Sequence, residues 1–137
     1  MNRGAIAKFA QDLRGTLIGR DADYDEARKL YNGMIDKRPL LIARCMDVAD
    51  VIAAVNFGRD SQLPIAIRGG GHNGPGFGGV DDGLVIDLST MKGVRVDPQN
   101  RTVRVGPVAR QATWIMLPTP LARQCRSASS RPRGSPV

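Results

Sequence analysis

The sequence predicts an α+β fold, a small mixed sheet with packed helices. Three observations lead there. A strand–helix–strand succession runs between Pro39 and Ile67, a glycine-rich loop follows it, and two short alternating segments joined by a turn come after. The chain has 137 residues, enough for one small domain.

The elements follow in order. Residues 1–23 are basic and only weakly periodic, and read as an N-terminal extension. Asp23–Asn32 reads as a short helix ending near Gly33, since a helix end commonly needs a left-handed residue. Pro39-Leu40-Leu41-Ile42-Ala43 is a compact apolar run and reads as a buried strand. Asp47 can cap the next helix, in which Val48, Val51, Ile52 and Val55 recur at helical spacing and form one apolar face. Gly58 marks its expected end. Pro64-Ile65-Ala66-Ile67 is the returning strand, and the unit is a parallel crossover. Leu84-Val85-Ile86-Asp87-Leu88 is a further buried strand. Val94–Val96 and Thr102–Val105 alternate apolar and polar residues around Asp97-Pro98-Gln99-Asn100, which carries turn chemistry, so they form a hairpin.

Composition excludes several classes. Hydrophobic residues at 42% and charged residues at 24% are ordinary for a globular domain, which argues against wholesale disorder. No apolar run is long enough to span a bilayer, and no membrane partner is expected. The net charge of +7 suggests nucleic acid at first sight. Five arginines and no acids lie in residues 108–137, however, which leaves 15 basic against 13 acidic residues before them. Aromatic residues, the platforms on which bases stack, make up only 4%. No nucleic-acid partner is therefore expected, and a basic nucleic-acid module rests on the tail alone. Cys45 and Cys125 form neither a disulfide framework nor a metal-ligand spacing, so a reducing cytoplasm is the expected compartment. Cys45 reads as a small core residue at a strand end.

The segment Arg68–Gly79 carries the chemistry. Seven of its twelve residues are glycine. Successive glycines leaving a strand can turn several N–H groups inward to meet phosphate oxygens. A flexible surface turn is the plain alternative. The pattern is neither the glycine fingerprint of a Rossmann unit nor a P-loop. His72 is the chain's single histidine. A lone histidine is more often structural, but its place inside this loop favours a nucleophile, an acid–base group or a covalent tether. Without clustered partners it cannot build a metal site. Arg68 suits a bidentate phosphate clamp or, equally, an exposed strand end. Asp87 reads as a strand-end turn acid before a ligand contact.

Taken together, these residues are recognisable. The Pro-led strand, the Asp-Val helix, Pro-Ile-Ala-Ile-Arg, Gly-Gly-His, Val-Ile-Asp-Leu-Ser and the Val-Arg-Val-Gly-Pro end of the hairpin occur in order. Over residues 24–107 the chain resembles the FAD-binding PCMH-type domain of the vanillyl-alcohol oxidase and p-cresol methylhydroxylase superfamily, closest to the berberine-bridge-enzyme-like FAD-linked oxidases. The resemblance implies that the sheet is the N-terminal part of such a domain and that the cofactor is FAD. It implies that Arg68, Gly69, Gly70, Gly71, His72, Asn73 and Gly76 bind it, with His72 matching the histidine that often carries the flavin covalently. It also implies that later segments of family members cover the apolar face of the 47–58 helix, leaving that face exposed here. The family's activity is oxidation of a small organic substrate. Its substrate domain and catalytic base lie beyond the matching region, so no catalytic residue is assigned and this chain alone is expected to be inactive.

After Pro107 the pattern departs. The last 30 residues hold four prolines, four serines and five arginines, and read as a disordered basic tail. Permitted codons for Gln111–Val137, read one base out of register, give a run ending Gly-Ile-Ile-Ser-Thr-Thr-Gly-Val-Ala, which is what the family places next. An out-of-frame tail is therefore one expectation and a natural basic tail the other. A truncated product without stable flavin binding is the alternative to an FAD-binding role.

Overall fold

The computed structural model describes residues 2–108, in two compact units divided after Met91. The expectations for the tail, Cys125 included, lie outside the described residues.

The first unit holds α1 (Arg3–Asp12), β1 (Thr16–Ile18), α2 (Tyr24–Arg28), β2 (Leu41–Arg44), α3 (Val48–Asp60), β3 (Ile65–Arg68) and β4 (Leu84–Asp87). Its sheet has the order β1-β2-β4-β3. β1 runs antiparallel to β2, whereas β2 and β3 both run parallel to β4. The crossover predicted through α3 is present, with β4 inserted between its two strands. Composition explains the insertion. All four residues of β4 are buried, as suits a strand covered on both faces, whereas β3 alternates exposed and buried residues as an edge strand does. The second unit is the predicted hairpin, β5 (Val94–Asp97) antiparallel to β6 (Thr102–Val105). The fold is thus the expected α+β arrangement, a small mixed sheet with packed helices, followed by the hairpin.

Two apolar layers flank the first sheet. Leu41, Ala43, Leu84 and Ile86 meet Phe9 and Leu13 of the α1 segment and Ala54 of α3, and the Phe9 and Phe57 rings stack at 4.2 Å. On the opposite face Ile42, Val85 and Ala66 pack with Ile18, Tyr24 and Ala27. Cys45 is buried as expected, and burial together with the charges of Asp50, Asp87 and Asp47 pushes its thiol up to about 11. No helix among the described residues is long and apolar enough to cross a membrane.

Four local features differ from the sequence reading. Within the expected N-terminal extension, residues 1–23, the structure adds two elements that the weak periodicity did not mark: α1 packs on α3, and β1 pairs with β2 through Thr16–Arg44, Leu17–Ala43 and Ile18–Ile42. The polar surface of α1 hid its single buried aromatic, Phe9. α2 is five residues long instead of continuing to Asn32. The carbonyls of Ala27 and Lys29 accept hydrogen bonds from the Arg68 guanidinium, so the chain turns away there. Gly58 lies within α3 and does not end it; a Cβ there would stand 2.6 Å from Ile65 Cδ1, so the glycine allows β3 to approach closely.

The fourth difference concerns the face on which α3 rests. Val48, Ile52 and Val55 are exposed. The inward side is formed by the buried Asp50, Ala54 and Gly58, with Val51 of the predicted face and Phe57 packed partly buried against the same core. Asp47 caps the helix by accepting from the Asp50 N–H at 3.1 Å. The buried carboxylate of Asp50 accepts from the backbone N–H groups of Arg14, Gly15 and Met46 at 2.8, 3.0 and 2.8 Å. Those bonds tie the α1–β1 link to the start of α3. Small residues then bring the helix down onto the sheet.

This packing yields a direct contrast. Val48→Lys and Ile52→Glu should each change stability by less than about 0.5 kcal/mol. Ala54→Leu should cost about 1–3 kcal/mol by overpacking a closed interface. Urea unfolding checks both, and the reverse order of effects would show that α3 presents its other face to the sheet.

Candidate functional site

The three parallel strands β2, β4 and β3 end level with one another. Arg44, Asp87 and Arg68 are register partners, Arg44 with Asp87 on one side and Asp87 with Arg68 on the other. One carboxylate thus stands between two guanidinium groups at the carboxyl ends of parallel strands, the edge at which open α/β sheets bind ligands.

The two arginines are held differently. The Arg68 side chain is only 10% exposed. Its Nη2 donates to Asp87 Oδ2 at 2.8 Å and to the Ala27 carbonyl at 2.7 Å, and its Nη1 donates to the Lys29 carbonyl at 3.3 Å. The Arg44 side chain is 40% exposed, and its Nε lies 3.7 Å from Asp87 Oδ2. That Nε is buried and has no hydrogen-bond partner, alone among the buried side-chain polar atoms of the described residues. Asp87 also accepts from the Ser89 N–H at 2.9 Å. Burial pushes the Asp87 carboxyl upward, but the bonds from Arg68 and Ser89 and the Arg68 charge together outweigh it and hold the group below the usual carboxylate range.

The glycine loop leaves β3 directly above this row. Gly71 has φ +73°, a backbone conformation that suits glycine. A Cβ on Gly70 would stand 2.9 Å from His72 Cδ2, so the imidazole lies against bare backbone. The exposed His72 ring meets Tyr31 edge-on, with centroids 6.0 Å apart. A cavity of 640 Å³ opens here, lined among others by Tyr31, Arg44, Arg68, His72, Asp87 and Ser89.

Of the seven residues expected at the site, Arg68, Gly69, Gly70, Gly71 and His72 line this cavity. Asn73 and Gly76 do not. Asn73 instead shapes the loop, its Oδ1 accepting from the Phe77 N–H at 2.9 Å and its carbonyl from the Gly76 N–H at 3.2 Å. Gly76, at φ +80°, packs where a Cβ would meet Ile35 Cδ1 at 2.7 Å. Arg68 is neither the exposed strand end nor a freely projecting clamp: both its terminal nitrogens are engaged by the protein. Arg44, Tyr31 and Ser89 were not singled out from the sequence. The legible signal was that Ile-Ala-Arg, Ile-Ala-Ile-Arg and Val-Ile-Asp each close a strand on a charge.

Comparison with known proteins places this geometry. The FAD binding domain family matches residues 39–113, and the chain belongs to that family. Among relatives, it is 36% identical over 86 residues to (R)-6-hydroxynicotine oxidase of Paenarthrobacter nicotinovorans, covering 63% of this chain and 19% of that protein. The crystal structure of 6-hydroxy-D-nicotine oxidase from Arthrobacter nicotinovorans superposes with a TM-score of 0.65 at 35% identity, over 69% of this chain and 21% of the other. Xylooligosaccharide oxidase from Myceliophthora thermophila gives 0.68 at 25% identity, over 88% of this chain and 25% of the other. The chain spans about a fifth of the length of the curated relatives it matches.

The buried carboxylate predicts a pH dependence. A depressed carboxyl pKa adds stability that is present above the unfolded value of about 3.9 and is lost as pH falls through the folded value. Urea midpoints should therefore fall on acidification below about pH 4. Asp87→Asn, which has no proton to take up, should be less stable at neutral pH and show a shallower acid decline. An acid decline as steep in Asp87→Asn as in the wild type would exclude Asp87 as a contributor.

Proposed function

We propose that the cavity at the ends of β2, β4 and β3 holds FAD, with Gly69–Gly71 against the pyrophosphate and His72 at the edge of the flavin. The convergence of successive glycines, one histidine and two arginines on a single 640 Å³ cavity carries this reading. The residues present suit such a group. The glycines allow backbone N–H groups to approach phosphate oxygens, and guanidinium groups oppose phosphate charge. The orphaned Arg44 Nε–H is a donor with no acceptor among the described residues. Bound FAD supplies a two-electron acceptor, and the protein supplies binding and orientation.

Within this site Asp87 fixes Arg68, and Arg68 holds the end of α2 against the loop. In this reading His72 carries the flavin covalently, and the bare backbone of Gly70 against its ring supports that role. For the whole protein we propose FAD-linked oxidation of a small organic substrate, the activity class that the relatives' names share.

Titration calorimetry of the 137-residue chain with FAD tests the reading. Gly71→Val should weaken FAD binding about tenfold or more, because a β-branched residue is strained at positive φ. After incubation with FAD and acid precipitation, the wild type should retain flavin. His72→Ala should bind FAD yet release all of it in acid. No FAD binding by the wild type would favour a chain without a flavin role, and acid-stable flavin in His72→Ala would remove His72 as the tether.

A further inference from the structure

We propose that Arg44, at the end of β2, is the residue of this cavity that contacts a phosphate group of the bound dinucleotide, in the role that sequence reasoning gives to Arg68. The inference rests on the FAD reading for the ligand's identity, but its evidence is the charge arrangement at the strand ends.

Arg44, Asp87 and Arg68 stand side by side in strand register. A single carboxylate serves two guanidinium groups, and the division is unequal. Arg68 takes Asp87 at 2.8 Å and two backbone carbonyls besides, so both its terminal nitrogens are engaged and its side chain is buried. Among the described residues Asp87 is the one carboxylate within 4.0 Å of Arg44, and it lies beyond hydrogen-bond reach at 3.7 Å. Arg44 therefore meets Asp87 only at ion-pair distance, and its buried Nε–H has no acceptor among the described residues. A donor buried without a partner carries an unrepaid desolvation cost, which a ligand acceptor would relieve.

The surrounding charges do not supply that acceptor. Of the other acids that line the cavity, Glu26 is paired with Lys29, and Asp23 is exposed and forms no ion pair with Arg44. Arg44 itself is partly exposed and lines the cavity together with the first three glycines of the loop. A guanidinium with a free edge beside glycine backbone suits a phosphate oxygen, which can accept from the side chain and the main chain together. Arg68 is a positioning residue in this arrangement: it fixes Asp87 and the end of α2 and leaves the ligand's charge to Arg44.

The test combines two probes on the full chain. Calorimetry with FAD should show about tenfold or more weaker binding in Arg44→Gln, partial recovery in Arg44→Lys, and a smaller salt dependence in Arg44→Gln. Riboflavin, which carries no phosphate, should bind all three proteins alike. In parallel, the Arg44 Nε–H resonance of the wild type, followed by NMR, should shift on addition of inorganic pyrophosphate. That measurement needs no variant to fold. FAD binding equal in wild type and Arg44→Gln, with a silent Arg44 resonance, overturns the proposal and leaves the cofactor reading intact. A pyrophosphate-dependent shift without FAD binding supports Arg44 as the anion contact and sinks the cofactor reading. No response to either ligand overturns both.

Discussion

The ion pair between Arg68 and Asp87 organises the site. It joins adjacent strands at their carboxyl ends, and through the Ala27 and Lys29 carbonyls it draws the end of α2 over the same edge. Paired charges in an apolar interior are not in themselves a large gain in stability, since desolvation offsets most of their attraction. What the pair provides is direction. Arg68 presents donors to three acceptors that belong to two elements, so strand and helix can meet in only one way. The glycine loop starts at the next residue and inherits its position from that arrangement.

Asp50 plays a comparable part at the other face of the sheet. Three backbone N–H groups from two segments converge on its carboxylate, which sits on the buried side of α3. Gly15 belongs to the same junction: a Cβ there would lie 1.9 Å from the Arg44 carbonyl. One buried acid thus fixes the start of α3 and the other fixes the mouth of the cavity. Each converts a strand end, where backbone groups would be left unpaired, into a closed set of hydrogen bonds.

Much of this was legible in the sequence. Apolar runs bounded by turn residues marked β2, β3 and β4, and alternation marked the β5–β6 hairpin. The loop was conspicuous by composition, and five of its seven expected site residues line one cavity. What escaped depends on tertiary partners. α1 mixes charged residues with three alanines and buries only Phe9 fully, so its apolar periodicity was weak until Phe57 stood opposite Phe9. α3 leaves Val48, Ile52 and Val55 exposed, because its fully buried positions are two small residues and one hydrogen-bonded acid, with Val51 and Phe57 packed beside them. Arg44 could not be placed beside Asp87 without the strand order, in which β4 separates the two strands that the sequence makes consecutive.

Arg68 and Asp87 act as one unit. A double-mutant cycle on urea stability with Arg68→Met, Asp87→Leu and the double variant measures that directly. Each single change should cost about 3–5 kcal/mol by stranding a buried charge, and the double should cost less than their sum by about 2 kcal/mol or more. Costs that add to within about 0.5 kcal/mol would show that the two side chains do not depend on each other, and would contradict the account.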